Sequence, residues 1–292
     1  MASLRDPSLT VRMIATGFLF TEGPVWDRHA GELVFSDIPG DVRLRWNALT
    51  GVREDRRPSF NGNGLTYDAS GRLLVCEHAT SSVVREDRDG TRETIATHFE
   101  GTELNSPNDI IVRSDGSIFF TDPWYGRLPH HGIERDLQLG WQGVFRIDPD
   151  GSLHLVVDRD LFETPNGLCF SPDETILYVN DTERAVIRRF DVGADGSLSN
   201  HQLFAEGLRS DDVAGVADGM KCDELGNVWV TAPGGLWIFD PNGTKIDAID
   251  VPQLATNFTW GGPDWRTVFI TASTSVYTLD VEVGPRREPY MG

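Results

Sequence analysis

Cysteine is scarce in this chain, and positive charge is heavily outnumbered. Cys76, Cys169 and Cys222 are its three cysteines in 292 residues, an odd number set far apart. That pattern supports neither a disulfide framework nor a thiolate zinc site, and it suits a reducing compartment. Lys and Arg total 26 against 45 Asp and Glu, a formal net charge of −19. A nucleic-acid face needs clustered cations, so the balance argues against a nucleic-acid partner and, for the same reason, against an anionic membrane. No apolar run approaches the roughly 18 residues of a membrane span. The opening MASLRDPSLTVRMIATGF has no signal-peptide apolar region, which makes the cytoplasm the expected location. Helical periodicity, linkers and low-complexity stretches are also missing, so residues 1–292 read as one domain.

What fills the chain is repetition. One phrase recurs six times: AGELVFSD (30–37), GRLLVCEH (71–78), GSIFFTDP (116–123), ETILYVND (174–181), GNVWVTAP (226–233) and RTVFITAS (266–273). Each is a turn, a short β-branched and aromatic run, and a polar stop, which reads as a strand too short to be a helix. Another strand follows each, often ending in a hairpin signal such as DPDG or DPNG, which makes the recurring phrase the second strand of its unit. A third precedes each and opens on a short polar residue: Glu22, Asn63, Asn108, Asn166, Asp218 or Asn257. These openings lie 41, 45, 58, 52 and 39 residues apart. Spacings of roughly 40–50 residues with about four strands each are those of propeller blades. The expected fold is therefore all-β: a six-bladed β-propeller with four strands per blade. The sixth unit has no outer strand of its own, and residues 11–18 have no blade of their own, so the N-terminal strand is expected to close the ring. The closing GPRREPYMG reads as a mere tail, whose removal should cost far less stability than removal of 11–18.

If the six polar residues open the channel-lining strands, they form a ring at one mouth. The ends of the second strands, including His78 and Asp122, fall on the same face. So does the longest connection, Pro123 to Gln142, which is expected to act as a lid. Asx residues also cap turns, and ordered water satisfies buried amides, so the ring has a structural explanation as well. Against that, two carboxylates with no Lys or Arg among the six openings repel one another unless a cation lies between them. All-oxygen donors select a hard ion. Glu22, Asn108, Asn166 and Asp218 carry two negative charges, which balances Ca²⁺; Zn²⁺, Mn²⁺ and Mg²⁺ are the alternatives.

The segments FTEGPVW (20–26), NGLTYD (63–68), NSPNDIIV (105–112), FFTDPWYG (119–126), QGVFRID (142–148), TPNGLCFSPD (164–173), VADGMKCDELGNVWVTAP (216–233) and WGGPDWRTVFITAS (260–273) extend this reading. In that order they resemble the gluconolactonase/regucalcin (senescence marker protein 30) family of six-bladed propellers over nearly the whole chain. The resemblance implies a divalent ion held by Glu22, Asn166 and Asp218, with Asn108 beside it touching substrate. It also implies hydrolysis of aldonolactones, gluconolactone among them, to aldonic acids. Two departures stand out. The regucalcin branch has an arginine where Ser106 stands, which leaves the sugar preference open. The related diisopropylfluorophosphatases carry a late histidine where this chain has Thr271 or Ser273, which weakens a phosphotriesterase reading.

Asp218, the only Asp in the inner ring, is the expected general base or water-positioning group. The expected substrate contacts are Asn63, Ser106, Asn108, His78, Asp122, Trp124 and Tyr125, and the expected partner is a small-molecule sugar lactone met by a monomer or homodimer. A phosphotriesterase or aryl esterase of the same fold, and a ligand-binding propeller without catalysis, are the competing functions.

Overall fold

The computed structural model describes residues 4–6 and 10–291. Six four-stranded antiparallel sheets account for nearly all of the regular structure. Their innermost strands are Thr21–Asp27, Gly62–Tyr67, Ile110–Val112, Pro165–Phe170, Met220–Cys222 and Ala255–Gly261. Each touches the innermost strand of the next sheet, and the sixth touches the first. The sheets are thus blades of a closed six-bladed β-propeller. Arg12–Thr16 pairs antiparallel with Ser275–Asp280, Thr16 opposite Ser275, and supplies the outer strand of blade six. Closure leaves no open sheet edge where a seventh blade would dock.

The second strands, such as Glu32–Asp37 and Ile118–Asp122, are buried along their whole length. Blades stack face to face, so both faces of these strands meet apolar neighbours, and the sequence shows near-continuous apolar runs in place of alternation. The packing joins consecutive blades. Phe119 of blade three meets Phe170 of blade four edge-on at 5.1 Å, and Trp26 of blade one stacks on Phe269 of blade six at 5.2 Å. Outer strands are wetter, as in Gly51–Arg56 and Leu198–Glu206. Between blades one and two the contact is ionic: Arg43 bridges Asp55 at 2.5 Å and Glu86 at 2.6 Å.

The C-terminal segment departs from expectation. It does not trail into solvent. Arg286, Tyr290 and Met291 are buried, and Arg286 pairs with Glu174 and Glu288, each at 2.5 Å. Tyr290 and Met291 join inner-strand residues Val25 and Leu65 in one apolar cluster. The segment is a plug across the end of the channel opposite the polar openings. Charged residues inside GPRREPYMG suggested solvent, yet Arg286 pairs with the distant Glu174 and with Glu288 inside the segment, and Arg287 alone of the three is exposed. Among the described residues no helix is long and apolar enough to cross a membrane.

Candidate active site

Each polar opening except Asn108 and Asn257 is followed by glycine, and the structure explains why. A Cβ on Gly23 would lie 1.8 Å from the Asn63 carbonyl oxygen, and one on Gly64 would lie 2.2 Å from that of Asn108. A Cβ on Gly167 would lie 2.1 Å from the Asp218 carbonyl oxygen. Each glycine thus lets the next blade's polar residue come in close, and Gly64 N–H donates to the Asn108 carbonyl at 2.9 Å. The repeated polar–glycine pair draws the ring tight around the channel axis.

The result is a recess of about 260 Å³ whose lining includes Glu22, Asn63, Asn108, Asn166, Asp218, His78 and Tyr125. Phe20, Ile38, His131 and Val216 form a largely apolar upper wall, where Phe20 meets His131 edge-on at 5.0 Å. No Lys or Arg lines it. The volume falls below the roughly 300–1,000 Å³ of drug-sized sites and suits a single small ring.

The carboxylates are held by backbone. Glu22 Oε2 accepts from Gly23 N–H at 2.8 Å and from the Asn257 amide at 3.3 Å. Asp218 is pinned through its main chain, donating from N–H to Thr231 Oγ1 at 2.9 Å and accepting at its carbonyl from Asn180 Nδ2 at 2.6 Å. Burial, reinforced by the charge of Asp109, pushes Glu22 up to about 7. Burial, followed by the charge of Glu22, pushes Asp218 well above the usual carboxylate range. Burial is the larger cause in both cases, and nearby carboxylates add to it, Asp109 at both groups and Glu22 at Asp218.

His78 sits in the wall with both ring nitrogens engaged. Its Nδ1 lies 2.7 Å from the His131 carbonyl, which can only accept, so Nδ1 carries the hydrogen and Nε2 accepts from Asn63 Nδ2 at 3.2 Å. Burial lowers its pKa to about 4, so the ring is neutral. Asn63 spends its other N–H on Asn108 Oδ1 at 2.6 Å, which leaves Asn63 Oδ1 buried and without a partner. Asn166 Nδ2 donates to Thr182 Oγ1 at 3.1 Å, and Thr182 Oγ1 in turn donates to the Ala217 carbonyl at 2.6 Å, which ties Asn166 to the chain just before Asp218.

Three of the expected substrate contacts do not line the recess. Asp122 is buried and accepts the N–H groups of Asn105 and Ser106, both at 2.8 Å. Ser106 Oγ donates to the Pro123 carbonyl and accepts from Gly126 N–H. Ser106 thus ties down the start of the Pro123–Gln142 connection, and Asp122 fixes the backbone that carries Ser106. Trp124 packs against Tyr125, which alone of the two faces the cavity. Sequence reasoning missed Phe20, Ile38, Thr182, Glu183 and Val216 as lining, because Phe20 and Val216 precede the polar openings, and Ile38, Thr182 and Glu183 follow the strands Glu32–Asp37 and Ile176–Asp181, without any repeat of their own. Among the described residues no three His, Cys, Asp or Glu side chains form a ligand cluster; the inner-strand openings in the lining are the carboxylates Glu22 and Asp218 and the amides Asn63, Asn108 and Asn166, with the exposed Glu183 at the rim.

Comparison with known proteins agrees with this architecture. The family model described as SMP-30/Gluconolactonase/LRE-like region matches residues 20–274. A gluconolactonase of Zymomonas mobilis is 32% identical over 297 residues, covering 94% of this chain and 82% of its own. A pentonolactonase of Haloferax volcanii is 28% identical, covering 90% and 84%. A solved gluconolactonase structure from Xanthomonas campestris superposes with a TM-score of 0.87 at 34% identity, covering 95% of this chain and 91% of that one.

Proposed function

The chain belongs to the SMP-30/gluconolactonase/LRE-like family, and on that premise we propose that its recess opens sugar lactones to aldonic acids with the help of one divalent cation, Ca²⁺ by preference. The observation that carries this reading is a pair of carboxylates, buried Glu22 and half-buried Asp218, that line one recess whose lining holds no cation. An all-oxygen donor set with two negative charges fits Ca²⁺. Glu22, Asn166 and Asp218 would hold the ion, with Asn108 beside them. When bound, the ion supplies a Lewis acid for the lactone carbonyl.

The chain's own groups do the rest. Asp218 orients the attacking water and takes its proton. As the ring C–O bond breaks, that proton passes to the leaving alkoxide, so the product is the hydroxy acid. Asn63 Oδ1, buried in the wall without a hydrogen-bond partner, takes a hydrogen bond from a sugar hydroxyl. His78, with no free ring nitrogen, positions Asn63 in place of touching substrate. Tyr125, Phe20 and Val216 cover the C–H face of the ring and exclude water.

The test compares two charge-removing variants at saturating Ca²⁺. Asp218→Asn keeps an oxygen donor but removes the base, and should lose roughly 10²–10⁴-fold in kcat. Glu22→Gln should act through ion affinity and recover as Ca²⁺ is raised. An Asp218→Asn enzyme that turned over gluconolactone at the wild-type rate, fully loaded with ion, would remove the role given to Asp218. A wild type that opened no lactone but cleaved phosphotriesters or aryl esters would replace the proposed reaction.

A further inference from the structure

Below the recess the channel holds one more pair of charges. Asp109 follows Asn108 directly and is buried. Its Oδ1 accepts from Ile110 N–H at 2.9 Å, while Oδ2 has no hydrogen-bond partner and lies 3.6 Å from Lys221 Nζ. Lys221 stands three residues after Asp218 and is the only Lys or Arg on the six innermost strands. Its Nζ also donates to the Met220 carbonyl at 3.3 Å. Its stem lines a small cavity closed from below by Glu288, Tyr290 and Met291 of the C-terminal plug. Asp109 is buried whereas the Lys221 side chain is still 21% exposed, so it is the carboxylate, taken out of water, that gains from the cation beside it.

We propose that Lys221 and Asp109 form an internal ion pair that sets the charge of the divalent site above them at two negative units. Glu22, Asp218 and Asp109 together carry three negative charges, and Lys221 cancels one. The charges of Lys221 and Asp109 are felt at both Glu22 and Asp218. Lys221 and Asp109 are thus positioning residues in an electrostatic sense, and neither touches the ion. This inference rests on the metal reading given above.

The test is Ca²⁺ titration by calorimetry at fixed ionic strength, with melting temperatures in chelator as a fold control. Asp109→Asn leaves an unpaired cation under the site and should weaken Ca²⁺ binding roughly 10- to 100-fold. Lys221→Met removes the cation and should bind Ca²⁺ at least as tightly as wild type. The double variant, Asp109→Asn with Lys221→Met, restores the charge count and should return to within about threefold of wild-type affinity. A double variant as weak as Asp109→Asn alone would overturn the inference, because it would make Asp109 a ligand or a purely structural residue. Weaker binding by Lys221→Met would overturn it as well, and it remains informative if Asp109→Asn does not fold. Failure of the wild type to bind Ca²⁺ is a different result: it removes the metal reading itself and this inference with it.

Discussion

Gly64→Ala tests whether the polar–glycine pairs set the geometry of the recess. The new Cβ would lie 2.2 Å from the Asn108 carbonyl oxygen and 3.0 Å from the Asp109 Cα. Both are backbone atoms, so no side-chain rotation relieves the overlap. Restoring an ordinary carbon–oxygen contact requires about 1 Å of separation between blades two and three. That separation stretches the 2.9 Å bond from Gly64 N–H to the Asn108 carbonyl and the 2.6 Å bond from Asn63 Nδ2 to Asn108 Oδ1. Overpacking of this kind costs about 1–3 kcal/mol, which for a chain this long lowers the melting temperature by roughly 2–8 °C. Misplacing a positioned group by about 1 Å costs on the order of 10²-fold in rate. Differential scanning calorimetry and kcat/KM on gluconolactone measure the two effects. The larger proportional loss should be in activity. A variant within 1 °C and twofold of wild type would refute the close-approach reasoning.

Two further outcomes follow from burial. Deleting residues 285–292 removes the cover over Val25 and Leu65 and the Arg286 pairs; burial of Tyr290 and Met291 alone is worth roughly 4 kcal/mol, so the melting temperature should fall by about 8 °C, and an unchanged melt would show that the plug contributes nothing. Deleting 11–18 should also destabilise, since it removes the strand paired with Ser275–Asp280. The pH dependence has a definite sign. Glu22 and Asp122, both raised to about 7 by burial, hold protons in the folded ion-free chain that the unfolded chain releases near pH 4. Their stabilisation is full below pH 4 and lost as pH rises towards 7. His78, lowered to about 4, acts in the opposite sense, but Asp218 and Asp109, raised by burial, side with the first two. Melting temperatures in chelator should therefore fall between about pH 4.5 and 7, and a rise across that window would contradict the assignment.

The propeller was legible because each second strand is buried on both faces and therefore announces itself as an apolar run, from LVF at 33–35 to VFI at 268–270. Ring closure was legible from bookkeeping alone: one blade lacked a strand and one strand, Arg12–Thr16, lacked a blade. The polar openings were legible because glycine follows four of them and the structure puts the next blade's backbone where a Cβ would be. What strand-end position could not tell was direction. Asp122 and His78 both end second strands, yet Asp122 turns its carboxylate to the backbone of 105–106 while His78 turns its ring to the recess. The buried C-terminal plug was hidden for a similar reason, since Arg286 meets Glu174 across 112 residues of chain. Lys221 carried a visible signal, being the lone basic residue on an innermost strand.

The central claim is that the ring of inner-strand carboxylates and amides is a cation-dependent lactone-opening site. Acid release from gluconolactone, measured at constant pH above the spontaneous rate, tests it most directly when the same sample is read before chelation, after chelation and after Ca²⁺ is returned. The account predicts catalysis in the first state, loss to the spontaneous rate in the second and recovery in the third. A rate unchanged by exhaustive chelation would contradict it.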